Sequence, residues 1–127
     1  MNALGTHLLL ELRSCDARLL DNYEFIKQTM LEAAITAGAT IIGQTFHKFH
    51  PIGVTGVVAI SESHMSIHTW PEYGYAAVDV FTCGETFNPH VAAQMLVERL
   101  KCKLPSSTEV KRGVGVATPS LTMATAS

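Results

Sequence analysis

Between Ile60 and Glu85 the chain reads ISESHMSIHTWPEYGYAAVDVFTCGE, and side chains able to do chemistry crowd there: Glu62, Ser63, His64, His68, Glu72, Asp79 and Cys83. A serine becomes a nucleophile when a base lies within hydrogen-bond reach. Ser63 stands five residues before His68, in a run that also holds His64. There is no GxSxG elbow, so a hydrolase-type nucleophile is not indicated, and by residue type alone Ser63 is turn chemistry. His64 and His68, with His47 and His50, could bind a metal. Imidazole ligands need further ligands and ordered supporting partners, however, and Glu62, Glu72, Asp79 and Cys83 fall at no metal-site spacing, so no metal is expected. Singly, each residue has an ordinary role: His68 a hydrogen-bonded core histidine, Glu72 a turn acid, Asp79 a paired strand acid, Phe49 core. Their density argues for a site, because an unpaired polar group on a buried strand face costs roughly 1 to 3 kcal/mol.

The elements around this segment follow from periodicity and punctuation. Thr6 to Arg13 (THLLLELR) is short and apolar and reads as a strand, followed by turn and helix-starting residues in SCDARLLD. A helix starts near Asp21 or Asn22, carries Ile26, Met30, Ala33 and Ala37 on one face, and reaches Gly38 where a left-handed cap belongs. Thr40 to Phe49 and VTGVVAIS are strands separated by the HPIG turn. In HMSIHTW, alternation puts His64, Ser66, His68 and Trp70 on one face and Met65 and Ile67 on the other. PEYG turns into the strand Tyr75 to Thr82. Asn88-Pro89 opens a second helix with Ala92, Leu96 and Leu100 on one stripe and Met95 beside it. That helix is expected to close on Lys101 and Lys103 and to be stopped by Pro105. STEVKRGV is a candidate last strand. The order predicts an α+β two-layer sandwich, a largely antiparallel sheet with helices on one face, whose other face needs a partner.

Composition sets the bounds. The chain has 127 residues, enough for one domain, which is expected over residues 1–114, with 115–127 a disordered tail of small, uncharged residues. Hydrophobic residues make up 47% and charged residues 16%, an apolar surplus that suggests a subunit interface. A formal charge of -2 without long blocks of either sign argues against a nucleic-acid partner. No run approaches a membrane span and the N-terminus has no basic leader, so a cytoplasmic protein, mature from its start, is expected. Cys15, Cys83 and Cys102 have no CxxC spacing, which disfavours a disulfide framework or structural zinc; Cys15 and Cys102 read as small buried hydrophobes.

The segment ESHMSIHTWPEYGYAAVDVFTCG resembles the processing and active-site segment of prokaryotic S-adenosylmethionine decarboxylases, which cleave themselves and make a pyruvoyl cofactor from a serine. The resemblance extends through the Gly5-Thr6-His7 opening, Gly38 to Thr40, Thr45 to Phe49, Gly53 to Val58 and Phe81 to Glu85. It implies cleavage between Glu62 and Ser63, giving a β chain of residues 1–62 and an α chain of residues 63–127. It further implies His68 as the proton acceptor in processing, and Thr55, where serine is expected in much of the family, as the hydroxyl that helps hold the processing oxyanion. The pyruvoyl group derived from Ser63 would form a Schiff base with S-adenosylmethionine and accept electrons as carbon dioxide departs. Cys83 would then protonate the substrate carbon; thiols as a class remain largely protonated near neutrality. Phe49 would stack on the adenine and Glu72 would bind the ribose hydroxyls. The family pattern also implies a homodimer of αβ protomers and a product serving as aminopropyl donor for spermidine synthesis.

Two other readings compete with this one. A pyruvoyl enzyme on this fold could decarboxylate arginine or ornithine, although Phe49 and Glu72 suit an adenosyl substrate. A small α+β sandwich could also be a non-enzymatic, small-molecule-binding regulatory domain, which would need no chain break.

Overall fold

The computed structural model describes residues 3–116, and the remainder of the expected tail, 117–127, lies outside the described residues. The elements are β1 (Gly5–Arg13), α1 (Ala17–Leu20), α2 (Tyr23–Thr36), β2 (Ile41–Lys48), β3 (Val54–Ile60), β4 (Ser63–Trp70), a 3-10 turn (Pro71–Tyr73), β5 (Tyr75–Thr82), α3 (Pro89–Arg99) and β6 (Leu104–Arg112). The strands form one sheet in the order β2-β3-β4-β5-β1-β6, with every neighbouring pair antiparallel. The helices cover one face, as the predicted two-layer α+β sandwich requires.

Alternation sorts each strand between the two faces. Leu8, Leu10 and Leu12 of β1, Val54 and Val58 of β3, Met65 and Ile67 of β4, and Val78 and Val80 of β5 are buried under the helices. They meet Ile26, Met30, Ala33 and Ala37 from α2 and its end, and Ala92, Leu96 and Leu100 from α3 and its end. Burial of each large aliphatic side chain is worth about 1.5 to 3 kcal/mol, so the shared stripe pins both helices to the sheet.

Helix ends follow the predicted chemistry with one exception. Asn22 Oδ1 accepts from the Phe25 N–H and Asn88 Oδ1 from the His90 N–H, the bonds expected of N-caps. At the end of α2, Gly38 has φ +103°, the Gly38 N–H bonds the Ile35 carbonyl and the Ala39 N–H bonds the Ala34 carbonyl. That is a Schellman closure, and a Cβ on Gly38 would also lie 2.4 Å from the Thr86 carbonyl oxygen. Pro105 does not stop α3, because it lies inside β6. The helix ends earlier by the same device: Lys101 is left-handed at φ 54° and the Cys102 N–H bonds the Val97 carbonyl. Proline is tolerated in β6 because this edge strand pairs with β1 alone. Among the described residues no helix is long and apolar enough to cross a membrane.

Asp21 ties the helical layer to the turn before β3. Its Oδ1 accepts from the Gly53 N–H at 2.8 Å and lies 3.0 Å from Lys48 Nζ, and these partners, Gly53 first, hold its carboxyl below the ordinary carboxylate range. A depressed folded-state value means stabilisation that is complete above the unfolded value and lost as pH falls through the folded one. Asp21→Asn should therefore lower stability at neutral pH by less than about 1 kcal/mol and flatten the loss of stability seen on acidification. Urea unfolding from roughly pH 5 down to pH 2 reads both effects; curves that overlay those of the parent would remove Asp21 from the acid response.

Candidate active site

Strand β4 runs between β3 and β5 and carries candidates at both of its ends. Ile60 pairs with Ser63, so Ser61 and Glu62 form the turn that joins β3 to β4. Glu62 sits in that turn with φ 64°, a left-handed conformation that costs a non-glycine residue about 1 to 2 kcal/mol. The carbonyl it presents accepts a hydrogen bond from the Cys83 thiol at 2.6 Å. On the next residue, Ser63 Oγ donates to Thr82 Oγ1 at 3.1 Å, its register partner on β5. A cavity of about 200 Å³ opens here, lined in part by Gly38, Thr40, Glu62, Ser63, Gly84 and Phe87.

The second cluster lies at the opposite end of β4. Thr55 pairs with His68 across β3 and β4, and Thr55 Oγ1 lies 3.0 Å from His68 Nδ1. Both border a concavity of about 410 Å³ that Phe49, Ile52, Trp70 and Glu72 also line. The ring of His47 meets Phe49 edge-on, with centroids 4.6 Å apart. Trp70 packs against Tyr75 at 5.4 Å. Tyr75 donates to the Glu11 carboxylate, and burial followed by that neighbour pushes its phenol up to about 12.

The structure therefore groups the sequence candidates into two sets. Glu62, Ser63 and Cys83 come together, as do Phe49, Thr55, His68 and Glu72. Ser63 and His68 do not meet within the chain. Five residues of strand separate them by about 17 Å, and an odd spacing points their side chains to opposite faces of the sheet. Ser63 shares the helix-side face with Met65 and Ile67, whereas His64, Ser66, His68 and Trp70 occupy the other, as the alternation predicts.

Several residues outside these sets complete the picture. Asp79 is a paired strand acid: it accepts from Ser66 Oγ at 3.3 Å and lies 3.3 Å from His7 Nε2. Cys15 is buried, and burial with the neighbouring Cys102 pushes its thiol up to about 12, so it is protonated and inert at neutral pH. Cys102 is half-buried, whereas Cys83 is exposed at the end of β5. Among the described residues no group of three metal-ligating side chains forms. Sequence reasoning passed over Trp70 as a lining residue and Thr82 as the partner of Ser63. The aromatic at the end of an alternating polar face signals the first, but strand pairing alone reveals the second.

A thiol donor on the carbonyl of a left-handed residue, with a serine hydroxyl next in the chain, suits acyl chemistry. The family model described as S-adenosylmethionine decarboxylase matches residues 6–113. The chain is 57% identical over 114 residues to an S-adenosylmethionine decarboxylase proenzyme of Thermodesulfovibrio yellowstonii, covering 90% of this chain and 84% of that one. It is 60% identical over 114 residues to a protein of the same name from Acetivibrio thermocellus, covering 90% and 92%. The crystal structure of the adenosylmethionine decarboxylase from Aquifex aeolicus superposes with a TM-score of 0.85 at 36% identity, covering 93% of this chain and 98% of that chain. With most of its length matched by both sequence and fold, this chain belongs to the S-adenosylmethionine decarboxylase family.

Proposed function

We propose that the chain is the proenzyme of a pyruvoyl-dependent S-adenosylmethionine decarboxylase that breaks its own Glu62–Ser63 bond. The observation that carries this reading is the pairing of a left-handed Glu62, whose carbonyl accepts from the Cys83 thiol, with an adjacent Ser63 hydroxyl held by Thr82. Ser63 Oγ attacks the Glu62 carbonyl carbon, the C–N bond gives way, and the amide becomes an ester; intramolecular placement supplies the high effective concentration. Charge developing on the carbonyl oxygen falls where Cys83 already donates. Loss of the Ser63 α-proton then expels the ester oxygen as the Glu62 carboxylate, and water converts the resulting dehydroalanine to a pyruvoyl group with release of ammonia.

Ser63 fits this cofactor because the residue that would become the new N-terminus opens onto a cavity with Cys83 beside it. The group would supply a ketone as electron sink for decarboxylation. Cys83 is the donor to the substrate carbon in this reading. Phe49 and Glu72 hold the adenosyl part: a ring for stacking and a carboxylate for the ribose hydroxyls share one concavity. Residues 1–62 become the β chain and residues from 63 the α chain, within a single decarboxylase domain over 1–114. The product would serve as the aminopropyl donor for spermidine in the cytoplasm.

The same reading includes a homodimer. His68 lies at the far end of β4 from Ser63 in its own chain, which supports a processing base supplied by a second copy, with Thr55 beside it. A two-fold arrangement that sets the His68 end of one protomer's β4 against the Ser63 end of the other's would bring Phe49, Thr55, His68 and Glu72 of one copy to Ser63 and Cys83 of its partner.

The purified protein should give two masses on denaturing mass spectrometry, divided after Glu62 and with a pyruvoyl N-terminus on the second. Ser63→Ala should remain one folded, inactive chain, and normal cleavage in it would remove the cofactor assignment. Turnover of arginine or ornithine in place of S-adenosylmethionine would instead overturn the substrate. Co-expression of Ser63→Ala and His68→Ala chains tests the shared site. In mixed dimers the His68→Ala chain should be cut and the Ser63→Ala chain not, whereas two uncut chains would mean that His68 acts within its own protomer. Phe49→Ala should weaken substrate binding about ten- to a hundred-fold, read as a raised KM with cleavage intact.

A further inference from the structure

Thr82 is 5% exposed at the end of β5, one residue before Cys83, and it faces the helix side together with Val78 and Val80. Its Oγ1 accepts from Ser63 Oγ at 3.1 Å and from the Gly84 N–H at 3.3 Å. We infer that Thr82 is the positioning residue of self-cleavage, the acceptor that aims the Ser63 hydroxyl for attack on the Glu62 carbonyl. The inference rests on the self-cleavage reading and adds to it the group that orients the nucleophile.

The argument is one of directions. A serine hydroxyl can rotate among three staggered positions, and beside a carbonyl its proton can turn toward the carbonyl oxygen, an unproductive contact. The bond to Thr82 draws the proton across the strand pair, leaving the oxygen lone pairs free to face the carbonyl carbon. Thr82 can hold that direction because its branched Cβ has few rotamers and the Gly84 N–H fixes the one observed. The ladder supplies the distance, since Ser63 and Thr82 are direct partners in the β4–β5 register. His68, about 17 Å along β4 on the opposite face, cannot serve the hydroxyl of its own chain. A purely structural Thr82 would satisfy the same hydrogen bonds. The two roles differ after cleavage, when Ser63 Oγ has left with the Glu62 carboxylate and Thr82 no longer has a hydroxyl to aim.

The test compares freshly translated chains of the parent, Thr82→Val and Thr82→Ser, following appearance of the two fragments over time, with melting temperature and kcat per pyruvoyl-bearing chain measured alongside. Valine keeps the shape and removes the acceptor. Thr82→Val should cleave about ten- to a hundred-fold more slowly, with kcat per processed chain within about two-fold of the parent. Thr82→Ser should cleave within a few-fold of the parent. Should the valine variant not fold, Thr82→Ala is read in its place against Thr82→Ser. Parental cleavage in the variant lacking the hydroxyl, no rescue by serine, or equal losses of cleavage and kcat would each overturn the inference. A parent chain that never cleaves would instead remove the self-cleavage reading on which it rests.

Discussion

The antiparallel pairing of β4 with β3 on one side and β5 on the other governs where every candidate residue lies. Pairing with β3 makes Ser61 and Glu62 a two-residue turn and sets Thr55 opposite His68. Pairing with β5 sets Ser63 opposite Thr82 and brings Cys83, the next residue, back to the Glu62 carbonyl. A shift of one residue in either ladder would turn Met65 and Ile67 out of the core and break both sets of contacts. The hydrophobic face of β4 is thus what keeps the chemistry in register.

The turn at Glu62 illustrates how that register is used. Position two of such a turn favours glycine or asparagine when its φ is positive, yet glutamate stands there. The ladder on both sides and the thiol on its carbonyl hold it in place. A conformation that costs about 1 to 2 kcal/mol is tolerable within a sheet of this size, and it sits on the bond proposed to break. Gly84 leaves room beside it: a Cβ there would come no nearer than 3.8 Å to a Glu62 carboxylate oxygen.

Much of the architecture was legible along the chain. Ile26, Met30, Ala33 and Ala37 recur at helical spacing, and Asn22, Gly38 and Asn88-Pro89 are local capping signals, so both ends of α2 and the start of α3 could be placed before any tertiary contact was known. Pro105 misled because a proline after a helix is ambiguous. It can end the helix or open an edge strand, and the end of α3 was set by Lys101, whose left-handed backbone has no sequence signature. For the candidate site, the nearness of His68 to Ser63 in sequence suggested a proximity that a strand does not provide. Extended backbone separates residues faster than any other regular structure, and its period of two opposes odd spacings.

Sequence alone determined the element order, the face on which each β4 side chain stands and the family to which the central segment compares, because these depend on local periodicity and residue identity. Only the tertiary structure decided that Cys83 meets Glu62, that Thr82 holds Ser63, and that His68 stands with Thr55 and Phe49 at the far end of the strand. Those contacts are cross-strand, set by the register of residues 13 to 21 positions apart in the chain. Register is a collective outcome of core packing across several strands, and no single segment contains it.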